Sequence, residues 1–165
     1  MISKVVRNLK SPFQLVKKLI KSLAFSQRYS SEDMSYWISI KNKYKGRRGF
    51  VIGNGPSLRM TDLDFLRDEI TIASNKIYLS FRKTDWRPTY FTIADPLVWE
   101  KVQPDLRTYF TKVHIPTYLP RKDPEFEVYW RAKYMGVFNR FSNDLSDCAF
   151  SGQTVTYENI QLAVH

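Results

Sequence analysis

The sequence predicts an α/β fold on a parallel sheet, preceded by a basic helical arm, and three observations carry that expectation. Apolar runs of strand length at 50–52, 70–73, 89–94 and 112–117 alternate with segments of helical length. The first three runs close on Asn54, Asn75 and Asp95. A glycine-proline turn, Gly53-Asn54-Gly55-Pro56-Ser57, follows the first run directly. With 165 residues, 43% of them hydrophobic and 15% aromatic, the chain has apolar content for one folded core.

Charge separates the arm from the rest. Residues 1–48 hold 12 Lys and Arg against 2 Asp and Glu, whereas residues 49–165 hold 14 of each. A groove that tracks nucleic-acid phosphates needs cationic excess on the folded part, so nucleic acid is not an expected partner. The expected division is an arm at 1–48 and a domain at 49–165.

Within the arm, Phe13, Val16, Leu19, Ile20 and Leu23 recur at helical spacing, with Lys17, Lys18 and Lys21 on other faces. Two readings stay open for this amphipathic helix at 13–25. It docks on an anionic membrane surface, each near-surface cation adding roughly 1 kcal/mol, or its apolar stripe packs on the protein or a partner. A polar stretch at 26–35 leads to a second helix with Tyr36, Trp37, Ile38 and Ile40, and 41–48 is a cationic connector.

Cys148 is the single cysteine, so neither an intrachain disulfide nor a cysteine-based zinc site is expected. No apolar run reaches the roughly 18 residues of a membrane span, and the lysines at 17, 18 and 21 interrupt any signal-peptide core. The expected location is cytoplasmic, with peripheral attachment to the inner membrane surface through the arm.

The first strand, with Phe50, Val51 and Ile52, runs into the turn, where Gly53 and Gly55 allow positive φ and close backbone approach. Pro56 fixes φ and Ser57 is placed like a helix cap. Such a strand-to-helix turn presents N–H groups and a positive dipole end to a phosphate. It lacks the Lys-Ser/Thr of a Walker loop and the third glycine of a dinucleotide fingerprint, where Leu58 stands. A plain turn, with Asn54, Asn75 and Asp95 as turn formers or caps, is the competing reading. Recurrence of polar residues at three strand ends favours convergence on one ligand, because open parallel sheets bind ligands beyond the carboxyl ends of their strands.

The remaining elements follow in order. Residues 61–69 predict a short helix or turn, 76–82 a helical segment and 98–110 a helix interrupted by Pro104. Residues 118–147 show no clear periodicity and suit a lid or ordinary aromatic packing. Ser151-Gly152 then precedes a partly buried helix at 154–164.

In this order the motifs 51–58, 73–76, 88–95 and 150–155 resemble the family of hydroxymethylpterin diphosphokinase MptE, which includes the motility accessory factors of flagellin glycosylation. More distantly, the chain is similar to bacterial sialyltransferases that use CMP-sialic acid. The resemblance implies a Rossmann-like domain that binds a nucleotide or nucleotide sugar. It assigns the contacts to Gly53, Asn54, Gly55, Pro56, Ser57, Asn75, Asp95, Ser151 and Gly152. Asp95 replaces the amide of the sialyltransferases, which leaves room there for a Mg²⁺-phosphate role as in pyrophosphoryl transfer.

Members of the family continue beyond the Ser-Gly helix into a further strand and, in the sialyltransferases, a catalytic histidine. This chain stops at His165, so the resemblance implies a fragment, a truncated reading frame or a degenerate copy, whose catalytic C-terminal part is missing. No general base is visible: His114 lies in the fourth strand, and His165 is expected to be mobile. Three functions follow, namely glycosyl transfer in cell-surface glycan or flagellin modification, a Mg²⁺-dependent ATP diphosphokinase, and a noncatalytic membrane-surface binding protein.

Overall fold

Residues 70–74 and 90–92 are mostly β-branched or aromatic and are buried along nearly their whole length, which is how strands covered on both faces read. The structure, a computed structural model, describes residues 16, 31–106, 108–109, 112–115, 127–130, 133–134, 140–150, 152 and 154–165. The helix expected at 13–25 lies outside these residues except for Val16, which is helical and exposed.

Strands β1 (Gly49–Val51), β2 (Ile70–Ser74) and β3 (Tyr90–Thr92) pair in parallel, with Phe50 opposite Thr71 and Ile72 opposite Tyr90. The backbone of β4 (Lys112–Ile115) and β5 (Glu127–Trp130) continues this ladder, so strand order follows chain order. Strands β6 (Lys133–Tyr134) and β7 (Cys148–Ala149) form a separate parallel pair. β5 and β6 fall in the stretch where the sequence shows no periodicity.

Parallel neighbours need crossovers, and crossovers are almost always right-handed. When strand order never reverses, that rule drops every connection on the same face of the sheet. The connections here are α2 (Met60–Asp64), a 3₁₀ helix (Asn75–Arg82) and α3 (Pro96–Leu106). Leu63, Phe81, Trp99 and Val102 from them share one core with Ile52, Ala73, Phe91 and Ile93 of the sheet and strand ends. α3 continues through Pro104, and Leu106 beyond the proline is fully buried. Burial of a side chain of this size is worth about 1.5–3 kcal/mol, enough to hold the last turn despite the missing donor.

The alternate residues Val51, Ile72 and Tyr90 face the other way and belong to a second core. Two helices supply its cover: α1 (Ser31–Ile40) through Trp37, and α4 (Val155–Val164) through Leu162. Trp37 is 1% exposed, so residues on both sides of the boundary expected at 48 share this core.

The inward face of α4 is largely polar, and its side chains serve as backbone partners. Gln161, fully buried, donates to the Phe150 carbonyl at 2.7 Å and accepts from the N–H groups of Phe150 and Ser142, each at 3.1 Å. Asn159 accepts from the Thr92 hydroxyl of β3 at 2.6 Å. His165 is not mobile: it is 6% exposed, its Nε2 lies 2.7 Å from the Trp37 carbonyl, and its Nδ1 accepts from the Leu145 N–H at 3.1 Å. Those partners select the neutral tautomer protonated at Nε2. Burial pushes this imidazole below its ordinary value of 6.5, against the opposing pull of the Trp37 carbonyl and of Asp144. At Asp144 burial acts upward, but hydrogen bonds from Lys41 and Ser146 outweigh it and hold the carboxyl down at about 2.

Trp37→Ala should lower the unfolding free energy by about 3–5 kcal/mol in urea titration; a change below about 1 kcal/mol would mean that α1 is not docked as described. The lowered His165 value carries a sign. The unfolded chain takes up a proton near pH 6.5 that the folded imidazole refuses, so stability is complete above that pH and falls as pH drops toward the lower folded value. Asp144 adds a second loss only below 3.8, extending toward 2. Melting temperatures measured from pH 7.5 to 5 should decline in the wild type and stay flatter in His165→Gln.

Candidate functional site

At the carboxyl ends of β1 and β2, the Asn54 side chain donates to the Ser74 carbonyl at 2.8 Å and ties the first turn to the end of the second strand. Asn75 follows with φ of 54°, a left-handed conformation that only asparagine, aspartate and glycine adopt readily. Its Oδ1 is buried and has no hydrogen-bond partner among the described residues. A strained backbone beside an unsatisfied acceptor is the kind of local cost that concentrates where ligands bind.

Asn54 and Gly55 line an open cleft of about 270 Å³, bordered on the other side by Lys76 and Ser80 of the 3₁₀ helix and by Lys83 at its end. Leu58, Met60 and Leu79 give it an apolar margin. Neither lysine side chain has an ion-pair partner among the described residues. Two exposed cations, an amide and a glycine turn against an apolar margin can receive a phosphate with a flat or apolar group attached. Sequence reasoning missed Lys83. Its signal was the spacing Lys76, Leu79, Ser80 and Lys83, a single stripe along one helical face.

Several local expectations are corrected. Gly53 and Gly55 do not use positive φ; among glycines that conformation is found at Gly46 and Gly152. A Cβ at Gly53 would meet nothing within 4 Å, and one at Gly55 only the Ser57 hydroxyl at 3.8 Å. Both glycines therefore leave open space instead of relieving strain. Ser57 does not cap the following helix, because α2 begins three residues later with Arg59 as its N-cap. Arg59 and Asp62 exchange hydrogen bonds across that turn, with the guanidinium 2.8 Å from the carboxylate. With five residues, α2 is too short for the dipole attraction expected at its start.

The other expected site residues lie apart from the cleft lining. Pro56 and Ser57 are exposed on the turn. Asp95 accepts from the Leu97 N–H at 2.8 Å, which makes it the cap of α3, followed by Pro96 in the first helical position. One of its oxygens is thus engaged, and no group of three or more His, Cys, Asp or Glu among the described residues is arranged to hold a metal. Ser151 lies outside the described residues. Gly152 has φ of 50° and packs on Tyr157, where a Cβ would come within 2.1 Å of the ring. That glycine serves the entry into α4, whose cap is Thr154, accepting from the Tyr157 N–H at 3.1 Å.

A crevice beyond a parallel sheet opens where neighbouring connections leave on opposite faces, and the described strands have no such reversal. Comparison with protein-family models, with curated proteins and with solved structures finds no match for this chain.

The glycines give opposite expectations. Gly53→Ala and Gly55→Ala should leave the melting temperature within about 2 °C of the wild type, since neither Cβ meets an obstacle. Gly152→Ala should cost about 1–3 kcal/mol through the Tyr157 clash and the left-handed backbone. Chemical denaturation of the three variants checks both, and a destabilised Gly55→Ala would contradict the turn geometry.

Proposed function

We propose that this chain is the nucleotide- or nucleotide-sugar-binding domain of a transferase of the MptE-like and motility accessory factor type, with a Rossmann-like sheet, acting in glycosyl transfer to a cell-surface glycan or flagellin. The observation that carries the reading is the cleft between the Asn54-Gly55 turn and Lys76 and Lys83, which have no ion-pair partner among the described residues. Phosphates of the donor sit between turn and lysines, with the backbone able to approach because both glycines leave space. Leu58, Met60 and Leu79 provide the apolar surface against which a base or sugar ring lies.

In such a transfer these residues bind and orient the leaving group. Stabilising negative charge that grows on a departing phosphate is electrostatic work, which Lys76 and Lys83 can perform without accepting a proton. The acceptor's base is left unassigned.

Isothermal titration with CMP, CDP, ATP and GTP tests the reading. One nucleotide class should bind saturably and weaken at least about tenfold in Lys76→Glu and in Lys83→Glu, each exposed enough to leave the fold intact. Affinity should also fall as salt rises. Absence of binding to the folded wild type, or binding indifferent to both charge reversals, would sink it.

A further inference from the structure

A second cavity opens at the opposite, amino edge of the sheet, with a volume of about 260 Å³. One part of its wall is apolar: Ile40, Phe50, Ile70, Ile72 and Leu162 line it, together with the Tyr44 and Tyr90 rings. The two rings meet edge to face with centroids 6.3 Å apart. Burial, and then the neighbouring Tyr44, push the Tyr90 phenol up to about 12, so it stays a neutral hydroxyl at ordinary pH.

The rim is cationic. Lys43, Lys45 and Arg47 come from the connector between α1 and β1, are exposed, and have no ion-pair partner among the described residues. Their neighbours Lys41 and Arg48 are by contrast neutralised by Asp144 and Glu69. The carboxyl end of α4 also reaches the rim and brings a partial negative charge of about one half. Three full cations outweigh it, and the Asn42 N–H already satisfies the His165 carbonyl at 2.7 Å.

We propose that this cavity binds an anionic amphiphile, its phosphate or carboxylate head held by Lys43, Lys45 and Arg47 and its apolar tail in the space between β1, β2 and α4. The apolar part of the wall disfavours a simple anion as the complete ligand, because a hydrated ion leaves that surface wet. Cations at the mouth select the sign of the head. The chain's own residues 1–30 are a poor occupant, since they carry seven Lys and Arg and no Asp or Glu. The site is at the far end of the strands from Asn54, so it stands or falls independently of nucleotide binding.

Titration calorimetry on the full chain with octyl phosphate as monomer, and with inorganic phosphate and octanol as its two halves, is the test. Octyl phosphate should bind saturably and at least about tenfold more tightly than either half. The double variant Lys45→Glu/Arg47→Glu should lose at least about tenfold, and Ala163→Trp, which fills the mouth from an exposed position on α4, should lose binding too. Circular dichroism of both variants should match the wild type. Inorganic phosphate binding as tightly as octyl phosphate, or both folded variants retaining wild-type affinity, would overturn the proposal. So would a wild type that binds none of the three.

Discussion

Taking parallel strands in chain order commits this protein to an asymmetry. Every right-handed crossover lands on one face, so α2, the 3₁₀ helix and α3 cover that side as a by-product of connectivity. Nothing in the connections covers the other side. Ile72 and Tyr90 would face water there, and each buried side chain of that size is worth about 1.5–3 kcal/mol. The cover has to come from segments outside the strand sequence, and α1 and α4 provide it from 128 residues apart.

That arrangement sets the character of α4. Lying over a sheet with loops on either side, it must satisfy backbone groups that have lost water, and unpaired buried amides cost about 1–3 kcal/mol each. Gln161 answers for Phe150 and Ser142 and His165 for Leu145 and Trp37, while Asn159 accepts from the side-chain hydroxyl of Thr92. Gln161 and His165 are thus bridging groups, and their chemistry is spent on structure.

Much of the layer pattern was legible. The apolar runs at 50–52, 70–73 and 89–94 fall on β1, β2 and β3, and the helix at 154–164 lies one residue from its observed bounds. Strand order was not legible, because alternation reports which face a residue takes and says nothing of which strand is its neighbour. For the same reason Asn54, Asn75 and Asp95 read as equivalents although their surroundings differ: one bridges to Ser74, one holds a left-handed backbone, and one caps a helix. The burial of His165 was hidden as well, since its partners Trp37 and Leu145 are remote in sequence and both are reached through main-chain atoms. Lys83 was legible by spacing but stood outside any glycine motif.

The bond between His165 and Trp37 has a temporal side. A layer joined across 128 positions cannot close until both segments exist, whereas the opposite core closes from neighbours within a few dozen residues. During synthesis the part of the Ile72 and Tyr90 face that α4 covers therefore waits until α4 is made. The interval is a window for chaperone capture or for adhesion between nascent copies, and its length is set by translation speed between β3 and α4.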